Sequence, residues 1–347
     1  MSASQQDGFG AMSSYEQKAW DRAVRRLNAP PTETRKMLNR ATGSISSAAG
    51  KVWKRVPLHA DMEQQLEKAL EGLVAVTLEP AMKSVSVERV ANRVGTSFAD
   101  FGTLDLERLD RASPRTRGFY TVTALAEGSA SALAVTGATV ATTVSGGTTA
   151  GVAIGAVAAD VASSIALLGR IVAVAAAEYG YDVRMPDEEV FALGTISVGS
   201  AGSPAAKVAA LTSLSRLTQQ MMRKATWAQL NQNGLVKLID AIFKALGLRL
   251  THQKLGQAVP FAGVLINGGL SAQMADHTYR SARDVYRLRF LSDKYGIDPE
   301  SWVTVAETLA DDVVLGAALD DIELISNDEN DDDESGEGDE QREGDEL

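Results

Sequence analysis

The stretch GSASALAVTGATVATTVSGGTTAGVAIGAVAA, residues 128–159, decides the fold class. It carries no charge over 32 residues, and only seven of them are Leu, Ile or Val, so its apolar character comes from small side chains. Alanine loses no side-chain entropy in a helix, and no regular apolar–polar alternation marks a strand, so the segment reads as helix. Ser145-Gly146-Gly147 is a turn signal. It divides the region into two predicted arms, Phe119–Val144 and Thr148–Ala177, folded as a hairpin. Gly147, Gly151, Gly155 and Ala159 recur every fourth residue, which lines small side chains along one helical face and lets a second backbone approach closely.

Two readings of the hairpin are open. It is long enough for a membrane span or for lipid contact. Its many Ala, Thr, Gly and Ser residues insert weakly, however, and Asp160 and Arg170 interrupt the second arm. A central charge costs roughly 2.5–3.5 kcal/mol on insertion scales. Those features fit a buried helical pair inside a protein bundle. Leu255–Ala275 is a second uncharged run with the same two readings, and its Pro260, Asn267, Gly268 and Gly269 weaken the spanning one.

Outward from the hairpin the pattern stays helical. Helices are expected over Tyr15–Leu27, from Thr32, over Met62–Thr77 (ended by Pro80), over Ser84–Val94 and around Leu104–Leu109. Further ones are expected over Pro186–Leu193, Pro204–Leu230, Gly234–Leu248, Ala258–Gly296 and Trp302–Leu319. Gly194–Ser203 reads as loose chain. Residues 1–14 and everything past Ser326 read as disordered.

Charge is distributed unevenly. Asp328–Leu347 holds twelve acids and one basic residue, Arg342, so it carries the whole net charge of −11 and the rest of the chain is neutral. Tyr15–Val56 holds ten Lys/Arg against three acids. This basic head has Lys18, Arg22, Arg25 and Arg26 along one side of its first helix and Trp20, Val24 and Leu27 on another. Such a helix can lie on an anionic membrane, or pack its apolar side on the body. The head can also dock onto the acidic tail. A nucleic-acid motif is absent. Zero Cys excludes disulfides and thiolate chemistry, and Met1–Tyr15 lacks the apolar core of a signal peptide. The expected location is therefore cytoplasmic, peripheral at the inner face of the cell membrane.

Chemical motifs are scarce. Gly50-Lys51 continues with Val52, which breaks a phosphate-binding loop, and no G-x-S-x-G nucleophile turn is present. His59, His252 and His277 form no metal-ligand pair, so no metal and no cofactor is expected. Asp331, Asp333, Ser335, Gly336 and Asp339 imitate a calcium loop, but Arg342 stands where a bidentate Glu is needed. The candidate polar patch lies near the hairpin: Asp160, Arg170, Glu178, Tyr179, Tyr181, Asp182, Asn267 and Arg287. Asp160 and Arg170 are about 15 Å apart along a helix and cannot pair with each other. Asp284 and Arg287 are candidate partners. These groups either fix helix register as buried ion pairs or orient a lipid-like or peptide ligand. Acid–base work by Tyr and Glu there is a third use.

Gly147-Thr-Thr-Ala-Gly-Val-Ala-Ile-Gly155 resembles the glycine-rich helix of the EcsC protein family, and Asp160, Arg170 and Ala177-Glu-Tyr-Gly-Tyr-Asp182 extend the resemblance past it. Glu188-Glu-Val-Phe-Ala-Leu193, Pro260-Phe-Ala-Gly263, Asn267, Tyr286-Arg-Leu-Arg-Phe-Leu291 and Lys294-Tyr-Gly296 continue the likeness, and Tyr15-Glu16-x-Lys18-x-Trp20 resembles its start. The likeness spans roughly residues 15–300. The family is named from a bacterial operon that also encodes an ABC exporter. That implies a membrane transporter as partner and transfers no reaction. The expectation is an all-α bundle around the hairpin 119–177 and the helix 259–296. It comprises a basic head (15–56), an EcsC-like body (57–319) and an acidic tail (327–347). Its expected role is that of a non-enzymatic, membrane-associated accessory protein. The alternatives are a soluble helical binding or scaffold protein and an enzyme.

Overall fold

A computed structural model describes residues 8–29, 76–113, 149–201, 204–225, 229–230, 239, 243 and 263–304, without the side chains of 149–161 and 263–274. The described elements are helical, and there is no strand among them. They are α1 (Ser14–Asn28), α2 (Val87–Val94), α3 (Leu106–Ala112), α4 (Thr149–Glu178), α5 (Pro186–Ser200), α6 (Pro204–Met222) and α7 (Gly263–Tyr295), with 3-10 turns at Phe98–Thr103 and Pro299–Trp302. A helical stretch at 76–83 precedes α2.

Long α7 is the axis of the bundle. It packs against α5, α4 and α1, while α6 packs on α5. Helix α4, the second arm of the expected hairpin, runs 30 residues, about 45 Å at helical rise. From Ala162 its apolar residues are inside: Ala162, Ile165, Leu168, Val172, Ala173, Ala175, Ala176 and Ala177 belong to the core. That half of α4 is covered by protein rather than lipid. Among the described residues no helix is long and apolar enough to cross a membrane. The first arm, Phe119–Val144, and Gly147 lie outside the described residues.

Local chemistry sets the helix ends. Ser13 and Glu16 cap α1 reciprocally, each side chain accepting from the other's backbone N–H. Helix α4 stops where Tyr181 N–H returns to Ala176 O at 3.0 Å across Gly180, whose φ of 89° suits glycine. A side chain there would also meet Phe101 Cβ at 2.7 Å. Helix α5 opens on Pro186 with Asp187, Glu188 and Glu189 in its first turn, where acids favour the helix dipole.

The structure departs from the sequence expectation in several places. Gly194–Ser200, expected to be loose, is the second half of α5. Its small residues are contact points: a Cβ on Gly199 would stand 2.9 Å from the Thr278 backbone, and one on Gly194 would meet Leu214. Buried hydroxyls of α5 and α6 bond inside their own helices, as when Thr195 donates to Phe191 O at 2.9 Å and Thr218 to Leu214 O at 2.9 Å. Pro80 lies inside the helical stretch 76–83 and does not end a helix. Helix α6 ends at Met222 instead of Leu230. Trp302 closes a 3-10 turn rather than opening a helix; it is fully buried and its indole N–H donates to Ser292 Oγ at 3.1 Å. Residues 8–14, expected to lack structure, include a helical turn at 8–11 and buried Met12, and Phe9 meets Trp20 edge-on at 5.2 Å. The regions 30–75, 114–148 and 305–347 lie outside the described residues.

Candidate functional site

Three groups of charged and tyrosine side chains line α7, each joined to a different part of the chain. The first centres on Asp110 of α3. Its Oδ1 accepts from Tyr179 at 2.7 Å, Arg283 at 3.0 Å and Arg287 at 2.9 and 3.2 Å. Its Oδ2 accepts from Tyr15 at 2.8 Å. Burial pushes this carboxyl up, but Arg287 and Arg283 outweigh that and, with the two hydroxyls, hold it below its usual range. Burial first, then the bond to Asp110, pushes the Tyr15 phenol up to about 12. Arg283 also lies 3.8 Å from Glu178, and Arg287 lies 3.2 Å from Asp284, whose other oxygen faces Arg26 at 3.6 Å. Glu178 and Asp284 are each 2% exposed, and burial raises both carboxyls despite those cations.

The second group surrounds Arg289. Its guanidinium forks onto Glu188, with Nη1 donating to Oε2 at 2.6 Å and Nη2 to Oε1. It is sandwiched between the rings of Tyr181 and Phe191, 4.1 and 4.2 Å from their centroids. Tyr181 donates to Asp293 at 2.6 Å. The third group holds buried Glu16, which accepts from Ser13 N–H at 2.9 Å, Tyr295 at 2.8 Å and Lys294 at 3.1 Å. Burial opposes ionisation, yet those donors hold the Glu16 carboxyl down at about 2. Lys294 reaches on to Leu104 O at 2.9 Å, tying α1, α7 and the chain before α3 together.

These groups divide the residues picked from the sequence. Glu178, Tyr179 and Arg287 meet in the first, whereas Tyr181 belongs to the second. Asp182 is held by its near neighbour Arg184 at 2.7 Å. Arg170 does not reach Asp284 or Arg287; its Nη1 donates to Ser84. Asp284 takes Arg287 and Arg26 instead. Asp160, Gly151, Gly155, Ala159 and Asn267 lie in α4 and α7 within the stretches whose side chains are not described. The sequence reading missed Asp110, which lies just past the short helix expected around Leu104–Leu109 and carries no motif. Glu16, Glu188, Arg289 and Lys294 were legible only as parts of the family likeness.

The other feature is a surface. Trp20, Ala23 and Leu27 of α1 are buried on the body, with Val24 partly so, and Lys18, Arg22 and Arg25 point outward, while half-exposed Arg26 turns its guanidinium to Asp284. Asp21 is the one acid exposed on that helix. Among the described residues no cluster of His, Asp or Glu could hold a metal ion.

An all-α protein built on one long helix with three buried charge groups is the class that the fold and these side chains define. The model of the EcsC protein family matches residues 18–291, and the chain belongs to that family. No curated protein and no solved structure matches it.

Proposed function

We propose that this EcsC protein is a non-catalytic accessory protein that sits on an anionic membrane surface through the basic face of α1, with a membrane transporter as its partner. The observation that carries the reading is the division of α1: its apolar side is used within the body, so the helix presents charge rather than a greasy face. The contact is then electrostatic and peripheral. Each Lys or Arg near an anionic surface contributes about 1 kcal/mol, so Lys18, Arg22 and Arg25 stand to give about 3 kcal/mol before the repulsion of Asp21, Arg26 being shared with Asp284. The acid–base alternative draws less support, because Arg170, Glu178 and Tyr181 fall into three separate hydrogen-bonded settings.

Sedimentation with vesicles tests this. The protein should bind phosphatidylcholine vesicles holding 30% phosphatidylglycerol, and leave pure phosphatidylcholine alone. High salt should release it. Arg22→Gln with Arg25→Gln should weaken binding about 30-fold, the equivalent of about 2 kcal/mol. Equal binding to both kinds of vesicle would sink the electrostatic contact. A second reading, a soluble helical binding or scaffold protein, is favoured by the burial of α4 from Ala162 onward.

A further inference from the structure

We infer that the basic face of α1 is a docking site for the chain's own acidic run, Asp328–Leu347, which competes with the anionic surface for it. The inference rests on the membrane reading for its purpose but not for its contact. Two observations carry it. The first is position. Asn28, the last residue of α1, donates to Trp302 O at 2.8 Å and accepts from Thr304 N–H at 3.1 Å. The body's last described residue is thus pinned beside the end of the basic helix, within a turn of Arg25 and Arg26. The second is charge. The run carries twelve acids and one Arg, while the exposed side of α1 carries Lys18, Arg22 and Arg25, with Arg26 shared with Asp284, against one acid.

The reach is sufficient. The 31 residues that follow Thr304 up to Ser335 reach far enough whether or not a helix runs to Leu319: even with one, the stretch from Asp320 to Ser335 extends to about 50 Å. Helix α1 is only about 22 Å long at helical rise. A tether of that length keeps the acidic run at millimolar effective concentration around the helix. The contact is between exposed charges, so it weakens as salt shortens the screening length.

The chain has no cysteine, so two spin labels can be placed cleanly on the full-length protein, by Ser14→Cys and Ser335→Cys. In low salt the distance between them should centre below ~25 Å, against the ~30 Å or more of an undocked chain. It should lengthen in 0.5 M salt and on Arg22→Gln with Arg25→Gln. A distance that ignores both salt and those substitutions overturns docking. Vesicle binding supplies the second readout. A full-length variant with Asp331→Asn, Asp332→Asn, Asp333→Asn, Glu334→Gln, Glu337→Gln and Asp339→Asn should bind anionic vesicles at least 5-fold more tightly than the native chain. If the two chains bind equally, competition is refuted and the membrane contact stands. If neither binds, the membrane reading falls, and the spin-label distance still decides whether the acidic run docks. Stronger binding without any salt-sensitive distance means plain repulsion between the run and the vesicle, and also overturns docking.

Discussion

Replacing Asp110 by Asn keeps the side chain's shape and removes the charge that two buried arginines share. The carboxylate accepts from Arg283, Arg287, Tyr179 and Tyr15. Removing one partner of a buried ion pair generally costs about 3–5 kcal/mol, because the remaining charge stays desolvated. Here Arg287 keeps Asp284 at 3.2 Å and Arg283 keeps Glu178 at 3.8 Å, which places Asp110→Asn at the lower end, about 3 kcal/mol. A chain of this size has a urea slope near about 3 kcal/mol per molar, so the midpoint should fall by about 1 M with the slope unchanged. Far-UV circular dichroism across a urea series reads this directly. Adding Arg287→Gln should cost less than the sum of the two single changes, since the second removes a charge that the first has stranded. A midpoint shift under ~0.3 M for Asp110→Asn, or strict additivity of the pair, would refute the idea that this carboxylate holds α1, α3 and α7 in register.

The other groups give further outcomes. Glu188→Gln should destabilise by about 3 kcal/mol in the same urea assay, and Arg289→Lys should not be tolerated as conservative, since Lys lacks both the fork and the plane that Tyr181 and Phe191 stack upon. Gly199→Ala should cost about 1–3 kcal/mol because its methyl meets the Thr278 backbone, whereas Gly10→Ala, with open space around it, should change the midpoint little. The Glu16 carboxyl is held below its unfolded value, so its contribution is fully present above pH 4.5 and is lost as pH falls toward about 2. Urea midpoints of the native chain and of Glu16→Gln should therefore differ most near neutrality and converge on acidification; a gap that stays constant down to pH 2 contradicts the assignment. Glu178 and Asp284 have the opposite sign, because raised folded-state values make their protonation favour the fold.

How much of this was legible in the sequence depends on where each residue's partners lie. The helical class, α4 to within a residue at each end, and the start of α5 follow from local signals: composition, helical spacing, a proline at a first turn. The second half of α5 was not legible, because Gly194, Ser197, Gly199 and Ser200 have the composition of a loop. They are helical here because α6 and α7 pack directly on their backbone and the hydroxyls bond inside the helix. Tertiary contact overrides a weak local preference when small residues are what the contact requires.

The two arginine-rich helices show the same limit in the charges. Helix α1 separates its apolar and basic residues cleanly, so its sequence already says which side faces outward, and the structure leaves Arg22 and Arg25 exposed. Helix α7 has an apolar stripe of Ala275, Tyr279, Ala282, Tyr286 and Phe290 with Arg280, Arg283, Asp284 and Arg287 off it, and charges beside such a stripe read equally as solvated or as enclosed by partners. Arg283, Arg287 and Arg289 are enclosed because acids arrive from elsewhere: Asp110 from α3, Glu178 from the end of α4, Glu188 from the first turn of α5. None of those pairings has a local spacing to betray it; Arg287 and Asp110 stand 177 positions apart. The difference also separates the roles. Charges on α7 are already matched by protein, so neutralising them should reduce stability. Among the described residues, charges on the outer side of α1 have no such inner partners apart from the contact of Arg26 with Asp284 at 3.6 Å. Arg22→Gln with Arg25→Gln should therefore leave the stability read from the urea series within about 0.5 kcal/mol of native while changing what the surface binds.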